Sequence, residues 1–187
     1  MTHEVVLWRR LDTPGHDACR LDPLGAGWVL EGAALFRHEG EPALLRYRVT
    51  ADRSWVSQQA TIEGWIGVRR IELSVQRLAD GSWTLDGRAV PEVEGCLDFD
   101  LGFTPATNLF QVRRLALADG EARDCPVAWL DVDSTTLTRL HQRYERRSAT
   151  RYGYEASSAG YRATLELTAE GFVREYPELW KLEEPRG

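Results

Sequence analysis

Apolar and polar residues alternate with a period of two over most of this chain. Glu4 to Leu11, Gly27 to His38, Ala43 to Ala51 and Ser54 to Gly64 are rich in β-branched and aromatic residues and read as strands. Gly67 to Leu78 continues the pattern, with Ile71, Leu73 and Val75 on one face and Arg70, Glu72, Ser74 and Gln76 on the other. Asp80-Gly81 and Asp86-Gly87 bracket Ser82 to Leu85 and predict two successive hairpins. Leu97, Phe99, Leu101 and Phe103 then alternate with Asp98, Asp100 and Gly102. Pro105 interrupts, and Leu109 to Leu117 resumes as a strand ending at Asp119-Gly120. Val127 to Val132, Thr150 to Ala156, Tyr161 to Thr168 and Phe172 to Tyr176 complete the sheet. Thr136 to Arg147 fits either a strand or, through Leu137, Leu140 and Tyr144, a helix, and the tail from Pro177 fits one helical turn around Leu179, Trp180 and Leu182.

About twelve strands in one chain exceed what a flat open sheet holds without curling. The expected fold is therefore mainly β with little helix, a roll or partly open barrel, as a single domain over residues 1–187. Val68 to Leu73 echoes Val112 to Leu117, each with an Arg pair, and hints at an internal duplication.

Composition narrows the function. The 187 residues are 43% apolar and 28% charged, enough for a real core. No apolar run reaches the roughly 18 residues of a membrane-spanning helix. The N-terminus lacks the order of a secretory signal, which points to the cytoplasm. A net charge of −6 disfavours nucleic acid, and 22 of the 23 basic residues are Arg, a skew that weakens any argument from Arg abundance. Cys19, Cys96 and Cys125 form no metal or disulfide pattern and read as buried thiols. The four His are isolated, and no nucleophile elbow or phosphate-cradling loop occurs, so no cofactor or metal is implied.

Five constellations carry candidate chemistry. The strand from Trp55 to Trp65 alternates Trp55, Ser57, Gln59, Thr61, Glu63 and Trp65 with Val56, Ala60, Ile62 and Ile66, so aromatic and hydrogen-bonding groups share a face suited to a sugar or to solvent. Glu63, Trp65, Arg69 and Arg70 cluster at its end, with Arg69 in phase with the apolar Ile71, Leu73 and Val75. There Arg69 either meets an anionic or sugar ligand at the mouth of an apolar interior or snorkels to water. Asp98 and Asp100 lie two apart, about 6.6 to 6.8 Å between Cα atoms, which permits the paired carboxylates of a glycosidase, although a solvated strand face looks the same. Asp131 and Asp133 repeat that spacing. Asn108, the sole Asn, ends Thr104-Pro105-Ala106-Thr107, a rigid turn in which it serves the turn or a ligand. Arg139, His141, Arg143, Arg146, Arg147 and Arg151 with Tyr144, Tyr152 and Tyr154 form a basic aromatic stretch. It suits an anionic head group or pairing with Glu166, Glu170, Glu175 and Glu178.

Gly64 to Arg70, Gly95 to Asn108 with its D-x-D-L-x-x-T-P-A-T-N block, and Val112 to Leu115 resemble the bacterial putative glycolipid-binding family, from Val6 to about Trp180. The resemblance implies a long coiled antiparallel sheet forming a spiral β-roll, with a shape similar to periplasmic lipoprotein carriers, and it transfers no catalytic residue. Leu109-Phe110-Gln111 departs from the family's Pro-containing step and leaves the next strand's start open. The leading expectation is a non-catalytic protein holding a small amphiphile, a glycolipid or lipid. Its acyl chain would lie in an apolar cleft of the rolled sheet, with Trp65, Arg69, Arg70, Arg113 and Arg114 near a polar mouth. A carbohydrate-active enzyme using Asp98 and Asp100, and a homo-oligomeric β scaffold, are the competing classes.

Overall fold

A computed structural model describes residues 4–134 and 136–184. Eight strands run outward from the N-terminus: β1 (Glu4–Arg10), β2 (Gly15–Leu24), β3 (Gly27–His38), β4 (Glu41–Asp52), β5 (Ser57–Ile66), β6 (Arg69–Arg77), β7 (Trp83–Leu85) and β8 (Arg88–Ala89). The chain then crosses to the far edge of the same sheet, where β9 (Asp98–Leu101) is followed by α1 (Asn108–Leu115). It returns through β10 (Ala122–Leu130), β11 (Thr138–Arg146), β12 (Arg151–Ala156), β13 (Tyr161–Leu167), β14 (Val173–Tyr176) and β15 (Trp180–Leu182). Fifteen strands form one sheet, in the order β8 back to β1 and then β15 back to β9. Every pairing is antiparallel except that of β9 with β10. The two ends of the chain meet at the middle of the sheet, where Trp8 opposes Leu182 and Arg10 opposes Trp180.

The crossing is short because the sheet curls. The edge strand β9 does not meet the other edge, β8; it approaches the start of β5, three strands further in. The Ser57 backbone N–H donates to Leu97 O and the Phe99 N–H donates to Ser57 Oγ, both at 3.0 Å. The indole of Trp83 donates to Cys96 O at 3.0 Å beside them. The sheet thus overlaps itself as a roll and does not close into a barrel.

Inside the roll lies the chain's own segment 98–112, in which every residue except Gly102 is buried. This accounts for the departure from the expected strand at Leu109 to Leu117. A lone strand inside the roll would leave its backbone groups unpaired, whereas α1 satisfies its own. The echo between Val68–Leu73 and Val112–Leu117 therefore joins a turn and strand to a helix and its left-handed cap at Ala116, and it is not a structural repeat.

Other differences have equally local causes. Strand β2 escapes the pattern because its inward row is Asp17, Cys19 and Leu21, a carboxylate where an apolar residue is expected. A register shift opposite Thr50 and Ala51 turns Ser57 inward with Ala60 and Ile62, and Trp55, at φ 66°, precedes the strand instead of starting it. Thr138–Arg146 is a strand, and the tail forms β15 between β1 and β14 in place of a helical turn. Both predicted hairpins are present, with positive φ at Gly81, Asp86 and Gly87. The three cysteines are free and buried, and no helix among the described residues is long and apolar enough to cross a membrane.

Gln111, on α1, is fully buried, and neither its Oε1 nor its Nε2 has a hydrogen-bond partner among the described residues. Leaving such an amide unpaired costs roughly 1 to 3 kcal/mol. Gln111→Met, similar in volume, is therefore expected to raise unfolding stability by about 1 kcal/mol or more in urea titrations. An unchanged or lower midpoint would show that the amide is satisfied in solution.

Candidate functional site

The buried segment is held by polar contacts to strands from both halves of the sheet. Asp17 of β2, wholly buried, accepts through Oδ2 from Tyr47 Oη at 2.8 Å and from Thr104 Oγ1 in a short bond, and the same Thr104 Oγ1 accepts from the Ala106 N–H. Asp100 accepts from Thr107 Oγ1 at 2.6 Å and from Gln142 Nε2 of β11 at 2.7 Å. Asn108 Nδ2 donates to Tyr144 Oη at 2.8 Å, and that hydroxyl donates to Gln142 Oε1 at 3.3 Å. Asp100, Gln142, Tyr144 and Asn108 are thus one connected network.

Asp98 faces elsewhere. It is fully buried, receives Arg114 in a two-pronged bond (Nε at 2.9 Å, Nη2 at 2.6 Å), and has the Cys125 thiol 3.3 Å away. The expected solvated face carrying Asp98 and Asp100 is therefore absent: β9 is covered on both sides, and each carboxylate has its own buried partners. Burial pushes the Cys125 thiol well up, which leaves it inert.

One end of the roll opens into a cleft of about 290 Å³. Its floor is the outer surface of the buried segment, with Asp100, Thr104, Pro105 and Asn108. Its walls are Trp129, Tyr154, Tyr161, Tyr176 and Trp180. The three tyrosine rings contact one another at centroid distances of 5.3 to 6.2 Å. Tyr161 Oη donates to Pro177 O at 2.8 Å, which fixes that ring. The Asn108 Oδ1 takes no hydrogen bond among the described residues, and this leaves an acceptor at the cleft floor. Burial outweighs the hydrogen bonds from Thr107 and Gln142 and raises the Asp100 carboxyl to about 6.

Of the ten candidates drawn from the sequence, Asp100 and Asn108 line this cleft, and Tyr144 is buried behind them, bonded to Asn108. Glu63, Trp65 and Arg70 gather instead on the outer face of the sheet, in a groove of about 470 Å³ with Leu44 and Val68. Arg69 leaves them and pairs with Asp133, whose other oxygen meets His38 Nε2 at 2.6 Å. Arg113 lies 5.5 Å over the Trp55 ring and 4.0 Å from Glu4, and Arg114 is held by Asp98. No single mouth is formed by Trp65, Arg69, Arg70, Arg113 and Arg114. In the basic stretch, among the described residues, only Arg151 reaches a C-terminal acid, Glu166. Arg143, Arg146 and Arg147 pair with Asp124, Asp119 and Glu145. Of the tyrosine walls the sequence singles out Tyr154 alone, within the basic aromatic stretch, and not Tyr161 or Tyr176.

Two stability predictions follow from these contacts. Arg114→Ala strips a fully buried carboxylate of its partner and is expected to cost about 3 to 5 kcal/mol in chemical denaturation. Burial also raises Asp17 to about 6. A carboxyl whose folded pKa lies above its unfolded value of about 3.9 stabilises the fold most below the unfolded pKa, and that contribution is lost as pH rises through about 6. Asp17→Asn is therefore expected to remove about 2 to 3 kcal/mol of the wild-type decline in stability between pH 4 and 7. Parallel pH profiles for the two proteins would contradict this.

No curated protein matches the chain. A crystal structure of a DUF1089 family protein from Pseudomonas aeruginosa is similar in fold, with a TM-score of 0.79 and 29% identity, covering 89% of this chain and 91% of that one. Residues 5–181 match the family described as "Putative glycolipid-binding", and with nearly the whole length covered the chain belongs to that family.

Proposed function

We propose that the chain binds the sugar head group of a glycolipid in the cleft at the end of the roll. The observation that carries this reading is an aromatic-walled cleft into which a buried amide and a buried carboxyl open, Asn108 and Asp100. Aromatic rings stack on the C–H faces of a sugar, while fixed polar groups at the floor take its hydroxyls. At neutral pH the Asp100 carboxyl is largely ionised and accepts from a hydroxyl, and Asn108 Oδ1 offers a second acceptor. The family description supports the ligand class. Because Asp98 does not line the cleft, Asp98 and Asp100 are not placed to flank one glycosidic bond there. The reading is therefore of binding.

The test is native mass spectrometry of the protein purified gently from cells, with fragmentation of any adduct, alongside calorimetric titration with methyl glycosides. The expected result is an adduct that loses a sugar on fragmentation. Saturable glycoside binding should also weaken at least tenfold, about 1.4 kcal/mol, in Asn108→Ala and in Tyr176→Ala. A bare spectrum combined with no saturable glycoside binding would overturn the reading, as would binding indifferent to both substitutions.

A further inference from the structure

The cleft holds little beyond a head group, and the interior of the roll is filled by residues 98–112, so the aliphatic part of an amphiphile has to leave through the mouth. At the same end of the roll, beneath the turn between β1 and β2, runs a second and larger hollow of about 670 Å³. Its apolar lining is Leu11, Pro14, Leu35, Phe36 and Pro42. Leu35 is 55% exposed and Leu11 40% exposed, although strand alternation turns Leu35 outward beside Arg37, where a polar residue is the usual occupant.

The two hollows share a wall. Leu179 and Trp180 line the cleft, and the Leu11 backbone N–H donates to Leu179 O at 2.8 Å. The Arg10 guanidinium sits across the divide, 5.3 Å from the Trp180 ring on the cleft side and 4.8 Å from the Phe36 ring on the groove side. Asp12 satisfies its Nε and Nη2, while its Nη1 has no partner among the described residues. The rim carries Arg9, Arg10 and Arg37, of which Arg9 pairs with Glu183 and Arg10 with Asp12. The Arg37 guanidinium donates to the carbonyl of Gly40 and pairs with no carboxylate among the described residues.

We infer that this groove seats the alkyl chain of the amphiphile whose head group occupies the cleft, and that its rim selects anionic over cationic amphiphiles. The assignment rests on the head-group reading above. The ligand then straddles Trp180, with its sugar against the tyrosines and its chain along Leu11 and Leu35.

Calorimetry with methyl, hexyl and octyl β-glucosides below their micelle concentrations, and with dodecanoate and dodecyltrimethylammonium, tests it. Each methylene that enters the groove is expected to tighten Kd by up to about fourfold. Dodecanoate should bind and the cationic amphiphile should not. Leu35→Glu, at an exposed position that leaves the fold intact, should flatten the chain-length series and abolish dodecanoate binding without changing the methyl glucoside. A series that survives Leu35→Glu, or equal binding of both charged amphiphiles, overturns the inference. Methyl glucoside binding without any chain-length effect removes the groove and keeps the head-group site. Dodecanoate binding that Leu35→Glu abolishes, with methyl glucoside silent, does the reverse. Silence from every probe overturns both.

Discussion

The structure depends on how the inside of the roll is filled. A sheet of fifteen strands that curls on itself encloses more space than its inward side chains occupy, and close packing forbids leaving that space empty. The chain fills it with residues 98–112 and so buries a stretch rich in polar groups. Each of those groups then needs a partner, because an unpaired polar group in the interior costs kilocalories. Asp98 finds Arg114, Asp100 finds Thr107 and Gln142, Thr104 finds Asp17, and Asn108 finds Tyr144. Asp17 of β2 and Gln142 and Tyr144 of β11 come from opposite halves of the sheet, so the bonds they make to the segment also fix the two meanders relative to each other.

Sheet edges are handled by the same economy. The edge β8 is only two residues long, and the other edge, β9, is buried against β5 through Ser57 and covered by the chain that follows it. Neither offers a long free ladder for another chain to extend. The pairing of β1 with β15 lies in the middle of the sheet, where Trp8, fully buried, donates to Val173 O.

The alternation of residues was enough to read most strands, the hairpins at Asp80-Gly81 and Asp86-Gly87, and the need for the sheet to curl. Inside and outside were not legible where both faces are buried. Asp98 and Asp100 alternate with Leu97 and Phe99 just as a solvated face would, and only the long-range partners Arg114 and Gln142 show that water is excluded. Asp17 misleads in the same way, since its partner Thr104 is 87 residues distant. At the site, Asn108 could be picked out by composition, and Tyr154 by its place in the basic aromatic stretch. Tyr161 and Tyr176 could not, because their convergence with Tyr154 depends on the curl of three strands. The Arg pairs failed as a guide: Arg69 and Arg70 diverge on one strand, and Arg113 and Arg114 diverge on one helix.

Asp17 and Asp100 separate what a perturbed carboxyl shows from what it does not. Both belong to the polar mounting of the same segment, and burial raises both to about 6. A perturbed carboxyl alone therefore does not mark a site here. The difference is geometric. Asp17 is sealed on every side, and its second oxygen has no partner among the described residues, so its effect is confined to the stability of the fold. Asp100 lies at the floor of a cleft whose walls are aromatic, next to an amide with a free acceptor. An apolar floor would fill the roll without the burial penalty of a carboxyl. Asp100 and Asn108 present polar atoms to an aromatic-walled cleft, which Asp17 does not, and that is the physical reason the proposal is placed at the cleft and not at the Arg-lined surface.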